Sequence, residues 1–240
     1  MIGLKMINKF KLLTVTAVLS LLSACGGGGG GVSGPVASTE SFNLRTVWAN
    51  LVTTPSTNKI TISGTGHGGA ITGTGTATYS NLSAGTFEGM PAQKQTLTIA
   101  VSMVANGQTI PINEIYETWV DGSNYAPKGE TSVSSDYVVI DTGTQTIPTA
   151  ARINDTAIVY TAKRYADSTK AVLRGTRKAS YVLEADAAST ALLSLVIEDI
   201  NTSNVTTNKS TAQFRITPIG TFTRIKETIV EGTTTLTFTY

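Results

Sequence analysis

Histidine and cysteine are each present once in this 240-residue chain, as His67 and Cys25. A single thiol excludes a disulfide framework and a cysteine-built metal site, and a single imidazole excludes a multi-histidine one. A Ser-His-Asp arrangement would have to use His67, and no G-x-S-x-G elbow accompanies it. His67 therefore reads as a solvated side chain in a glycine-rich stretch. Charge is scarce as well: 14% of residues are Asp, Glu, Lys or Arg, with no basic run, so no nucleic-acid partner is expected. The longest apolar run, Leu12 to Leu22, is too short for a helix that crosses a bilayer, which needs about 20 residues. Without covalent cross-links, stability must come from a hydrophobic core, and about 200 residues suffice for one in a single domain.

What is present begins with Lys5, Lys9 and Lys11, then the apolar run, then Leu22-Ser23-Ala24-Cys25 and the glycines 26–31. A charged start, a short apolar stretch and small residues before a cut are the layout of a secretory signal. The tetrapeptide resembles the lipobox of bacterial lipoproteins. The resemblance implies that residues 1–24 are removed as a signal peptide, and that Cys25 is lipidated by a diacylglycerol thioether and an acyl chain such as palmitate on its new amino group. Several acyl chains exceed what stable membrane attachment needs. Gly26 stands where an Asp would imply inner-membrane retention, so the implied location is the outer membrane, facing the periplasm or the cell surface. Removing the three lysines leaves 15 basic against 16 acidic residues. Residues 25–38 read as the lipidated cysteine and a flexible Gly-rich tether, and residues 39–240 as one domain.

That domain reads as all-β, an antiparallel meander. Ser41 to Thr53 offers a first strand anchored by Phe42, Leu44 and Trp48, with a short helix left open. Lys59 to Ser80 alternates Thr and Gly with apolar residues. Within it, Gly64 to Gly69 matches G-x-G-x-x-G, but a strand-like ITGTGTATY follows where a phosphate-binding loop needs a helix. The glycines instead predict sheet bends or bulges. Asn106-Gly107 predicts a hairpin pairing Met103 with Ile110, Val101 with Ile112, Ile99 with Glu114 and Leu97 with Tyr116. Strands are expected at Tyr137 to Ile140, Thr156 to Tyr165 and Ala179 to Ala185. Ala191 to Ile200 fits a strand better than a helix capped by Asp186. Three strands close the chain, with a Glu231-Gly232 turn that would set Ile225 opposite Phe238 and Ile229 opposite Thr234. Eight to ten strands in one twisted sheet would curl into a half-barrel or split into a two-layer sandwich; the curled form is preferred.

No catalytic residue, metal site or cofactor is expected. The acids Glu114, Glu117 and Asp121, Asp136 and Asp141, Glu184 and Asp186, and Glu198 and Asp199 offer pairs for glycosidase acid–base chemistry or calcium, but none shows the calcium-loop pattern, and adjacent acids near strand ends usually face water. Tyr116, Trp119, Tyr125 and Tyr137 fall in one turn-linked region and are candidate binding residues for a sugar or an apolar ligand. Glu114 joins them, because the hairpin register puts this carboxylate in an apolar row. A bulge at Pro111 would turn it to solvent, a neighbouring cation would pair it, or a polar pocket would use it with Tyr116. The β-rich body is similar to uncharacterised lipoproteins of Gram-negative envelopes, a likeness that implies no activity. Three functions stay open: a non-enzymatic envelope module binding a protein or glycan or serving a structural role, a carrier of lipid or another apolar ligand in a curled sheet, and a carboxylate-dependent hydrolase.

Overall fold

A computed structural model describes residue 35 and residues 37–66, 68–132 and 136–240. Cys25 with its expected acylation, the signal peptide, nearly all of the tether and His67 lie outside the described residues. A bridge pairs Phe42 with Ala151, and helix α1 follows at Leu44–Thr53. Then come β1 (Ser56–Gly66), β2 (Gly69–Tyr79), β3 (Ser83–Phe87), β4 (Met90–Ala105), β5 (Gln108–Val120) and β6 (Pro127–Ser132). The chain continues through β7 (Tyr137–Ile140), β8 (Thr156–Tyr165), β9 (Leu173–Ala187), β10 (Thr190–Asn201), β11 (Thr206–Ile216), β12 (Phe222–Glu231) and β13 (Thr234–Thr239).

Every pairing is antiparallel, so the all-β meander is what forms. The sheet goes further than a half-barrel or sandwich: it closes. β13 pairs with β1, and β2 passes over β3 to pair with β4, which joins twelve strands in a ring and leaves β3 on the remaining half of β4. Closure satisfies the two edges that an open sheet would expose. The β1–β2 register runs unbroken from Ser56 opposite Tyr79 to Gly66 opposite Gly69, so the glycines there mark no bulge. At the closing seams a Cβ on Gly64 would strike the Thr235 carbonyl, and one on Gly75 the Ala100 carbonyl. Glycine lets those backbones approach. Asn106 and Gly107 both have positive φ, at 52° and 73°, and all four predicted hairpin pairs are present.

Two expected elements are corrected. Ser41 to Thr53 is not a strand: Asn43 caps a helix by accepting the Thr46 N–H at 3.1 Å, and Leu44, Val47, Leu51 and Val52 bury one face. The apolar spacing suits either period, and the cap decides. The last hairpin turns at Gly232-Thr233, which sets Ile229 opposite Leu236 and Glu227 opposite Phe238. Ala191 to Ile200 lies within β10 as a strand, and Asp186 binds Thr190 and Arg215 instead of capping a helix.

The helix plugs one end of the ring. Trp48 Nε1 donates to the Tyr125 carbonyl at 2.7 Å and Asn50 Nδ2 to the Gly220 carbonyl at 2.9 Å; the Arg45 N–H donates to the Pro148 carbonyl at 3.2 Å. Those acceptors belong to the connections after β5, β11 and β7, which share that end. Beneath the helix, Phe42, Val47, Ile140, Leu183, Leu193 and Ile216 form a dry apolar core.

Candidate functional site

Cross-strand partners share a face of a sheet. One such row leaves the apolar core at Ala212 and passes through Glu227, Phe238, Ile62, Gly73 and Met103 to Ile110, so these residues all face the inside of the barrel. An eight-strand barrel is just filled by its own side chains, and twelve strands enclose a wider bore. Among the described residues, helix α1 fills that bore at one end. Away from it, inward apolar residues such as Leu97, Ile99, Met103, Ile112 and Phe238 are only partly buried. Inward-facing Tyr116 is 39% exposed. The interior is therefore less densely packed away from the helix, and a hollow of about 350 Å³ lies at that end beside Thr65, Gly66, Gly69 and Thr233.

The walls differ. β1, β2, β4 and β13 present an apolar surface around Ile60, Ile62, Ala77 and Val101. The opposite wall carries charge. Tyr160 on β8 donates to Glu130 on β6 at 2.8 Å, and Glu130 pairs with Arg177 on β9. Arg177 also binds Asp199 on β10 through two contacts, at 2.7 and 3.0 Å. Asp199 lies 3.3 Å from Arg164, which binds Asp136 at 2.6 Å, and Arg174 reaches Asp136 at 3.0 Å. Burial opposes the charge on Arg177, but Glu130 and Asp199 outweigh it and hold the guanidinium more firmly protonated than usual. Burial and the Glu130 carboxylate push the Tyr160 hydroxyl well above its ordinary range.

Between the walls lie further acids. Glu114 sits on β5 opposite Ile99, and Ser102 pairs with Pro111 without a bulge, so the turn to solvent does not occur. Glu227 on β12 accepts a hydrogen bond from Ser210 at 2.6 Å. Burial raises its pKa against the opposing influence of Ser210 and Arg224. Burial, and then the charge of Asp199, raises that of Glu231 on the same strand. Tyr116 is pushed up to about 12 by burial, with Glu114 and Glu227 adding to the shift. Arg224 lays its guanidinium 3.7 Å from the centre of the Tyr79 ring.

The other candidate residues are dispersed. Trp119 and Tyr137 face outward and stack on Phe87 of β3, at 5.5 and 5.4 Å between ring centres, beneath a hairpin folded over the outer face. Tyr125 sits in the turn after β5 with φ 57°, its carbonyl taken by Trp48. Only Glu114 and Tyr116 come together. The acids Glu198 and Asp199, expected to be solvated, divide: Glu198 meets Lys178 outside at 2.5 Å, and Asp199 is 6% exposed inside. Asp136, expected in water too, is held inside by two arginines. Reasoning from sequence missed Arg177, Glu130 and Glu227 altogether. A signal existed: Arg177 continues the alternating row of Ala179, Tyr181 and Leu183. Among the described residues no group of three or more His, Cys, Asp or Glu side chains is arranged to hold a metal ion.

The fold and this site define a class: a closed antiparallel barrel, plugged at one end, with an amphipathic lumen. Compared with known protein families, curated proteins and solved structures, the chain matches none.

Proposed function

We propose that this chain is a lipid-anchored envelope protein that carries a small apolar or amphipathic molecule in its barrel, without catalysing a reaction on it. The observation that carries the reading is the set of inward apolar side chains left partly exposed inside a closed ring, such as Ile99 and Ile112, with Tyr116 among them. A protein or glycan module is favoured less, because the aromatics that would offer a stacking platform, Trp119 and Tyr137, are engaged with Phe87. The outward faces of β1, β2 and β13 carry Lys59 and rows of threonine such as Thr72, Thr74, Thr235 and Thr237. A barrel facing hydrocarbon needs an apolar outer band instead, so the membrane is reached through Cys25 and its acyl chains at the outer membrane. The described chain enters the barrel at the helix end.

Two experiments test this. Cys25→Ala should leave an unprocessed precursor that takes up no labelled fatty acid; normal labelling would remove the anchor. Native mass spectrometry of the protein from its own envelope should show a bound small molecule. Ile99→Trp, which fills the lumen, should lose that molecule. A co-purifying protein with an empty barrel would favour the module instead.

A further inference from the structure

The arginines inside the barrel are not used alike. Arg177 is held by Glu130 and Asp199, and Arg164 by Asp199 and Asp136. Arg224 on β12 stands opposite Phe214 of the dry core and turns inward with it. No ion pair within 4 Å holds Arg224 among the described residues, and its buried Nε has no hydrogen-bond partner. Its guanidinium rests on aromatic carbon instead, 3.7 Å from the centre of the Tyr79 ring and 5.5 Å from those of Phe214 and Phe222. A donor taken out of water without an acceptor costs free energy that a ligand can recover. Stacking occupies the face of a guanidinium and leaves its N–H groups directed sideways, in the plane, where one carboxylate can accept two of them.

The acid that Arg224 influences, Glu227, does not fill that place. Its carboxylate takes the Ser210 hydroxyl at 2.6 Å, and burial raises its pKa, which weakens it as a standing counter-ion. The charge of Arg224 also acts on the hydroxyls of Tyr79 and Tyr240, so further hydrogen-bond donors gather near the same point. Tyr79 packs against the apolar wall around Ile60 and Val101, and on the same strands Ile62 and Met103 lead toward the mouth, the end away from the helix. A cation at the foot of an apolar wall complements a molecule with an oxyanion head and an apolar body.

Resting on the carrier reading above, we propose that the lumen takes anionic amphiphiles of the fatty-acid kind: the carboxylate head sits on Arg224, and the apolar body lies along the wall past Ile99 and Met103 toward the mouth. A cationic head would meet Arg224 where it needs a counter-ion.

The test is isothermal titration calorimetry on the purified Cys25→Ser chain, with decanoate, decyltrimethylammonium and decyl maltoside each below micelle formation, and with acetate. Decanoate should bind at one site about tenfold more tightly than either other decyl probe, the scale of one charge-assisted hydrogen bond. Acetate should bind far more weakly; acetate as tight as decanoate would mean a bare-anion site and would overturn the amphiphile. Arg224→Met should reduce the preference for decanoate to within about twofold, while circular dichroism stays unchanged. Arg224→Lys, which keeps the charge and loses the fork, should weaken decanoate several-fold, and it serves if the methionine variant does not fold. Unchanged decanoate affinity in either folded variant would overturn the proposal. If decyltrimethylammonium or decyl maltoside binds as tightly as decanoate, and Ile99→Trp abolishes that binding, the charge selectivity is wrong and the carrier reading stands. If no probe binds, both fall.

Discussion

The two ends of the barrel interior are built from the same alternating strands and solve the filling problem in opposite ways. At the helix end, α1 supplies Val47 and Leu51 to a space that Leu183, Leu193 and Ile216 line, and Leu183 and Ile216 are fully enclosed. Toward the mouth no element is inserted among the described residues. Ile99 and Ile112 stay partly exposed, and charged side chains from β6, β8, β9 and β10 reach inward to one another. The contrast shows that strand alternation alone selects an inward face and does not fill it. Filling requires a second layer, and where none is described, ion pairs line the bore.

The largest expected effect lies at the boundary between the halves. Arg177→Leu keeps similar bulk and strips Glu130 and Asp199 of their shared cation, leaving buried charge uncompensated. The expected loss is about 4 kcal/mol in urea unfolding. A loss under about 1 kcal/mol would mean that water already solvates those acids and that the charged wall belongs to the wet half.

A matched pair of truncations comes next. Leu183→Ala in the dry end should cost about 3 kcal/mol, because a closed cavity replaces packed atoms. Ile99→Ala in the lumen should cost about 1 kcal/mol, because the side chain already borders solvent and little new cavity forms. Equal losses would erase the distinction between the two halves.

The pH dependence sharpens it further. Burial raises the pKa of Glu227, so over the window between its unfolded and folded values the folded state holds the extra proton, and stability falls as pH rises. The Glu227→Gln variant should therefore gain on the parent chain as pH rises above the ordinary glutamate range, and match it below that range. Outside the barrel the sign reverses: the Lys178 partner lowers the pKa of Glu198, which adds stability as pH rises and loses it on acidification. Urea midpoints of parent and variant that stay a constant distance apart as pH rises would refute the assignment.

The smallest effect belongs to the exterior. Arg215 binds Asp186 through two contacts, yet its side chain is about half exposed. Arg215→Ala should shift stability by no more than about 0.5 kcal/mol.

Much of the fold was legible in the sequence wherever a turn and an alternation coincide. Asn106-Gly107 between two alternating runs specified turn, register and inward row together, which placed Glu114 and Tyr116 on one face. β10 was legible by its neighbours and its turn residues. The helix was not, because Leu44, Val47, Leu51 and Val52 are an apolar set that either period can claim, and the deciding hydrogen bond comes from Asn43. The last hairpin went astray by its turn, because Glu231-Gly232 and Gly232-Thr233 both accommodate the positive φ at Gly232.

By itself the sequence determined an antiparallel all-β domain, because alternation and turn chemistry act over a few residues and need no distant partner. Only the tertiary structure decided that the sheet closes, that a helix plugs one end, and that Glu130, Arg177, Asp199, Arg164 and Asp136 meet inside. Those outcomes join residues dozens of positions apart, from β1 to β13 and from β6 to β10. Curvature and ring size set which side chains meet across the bore, and no local pattern along the chain encodes either.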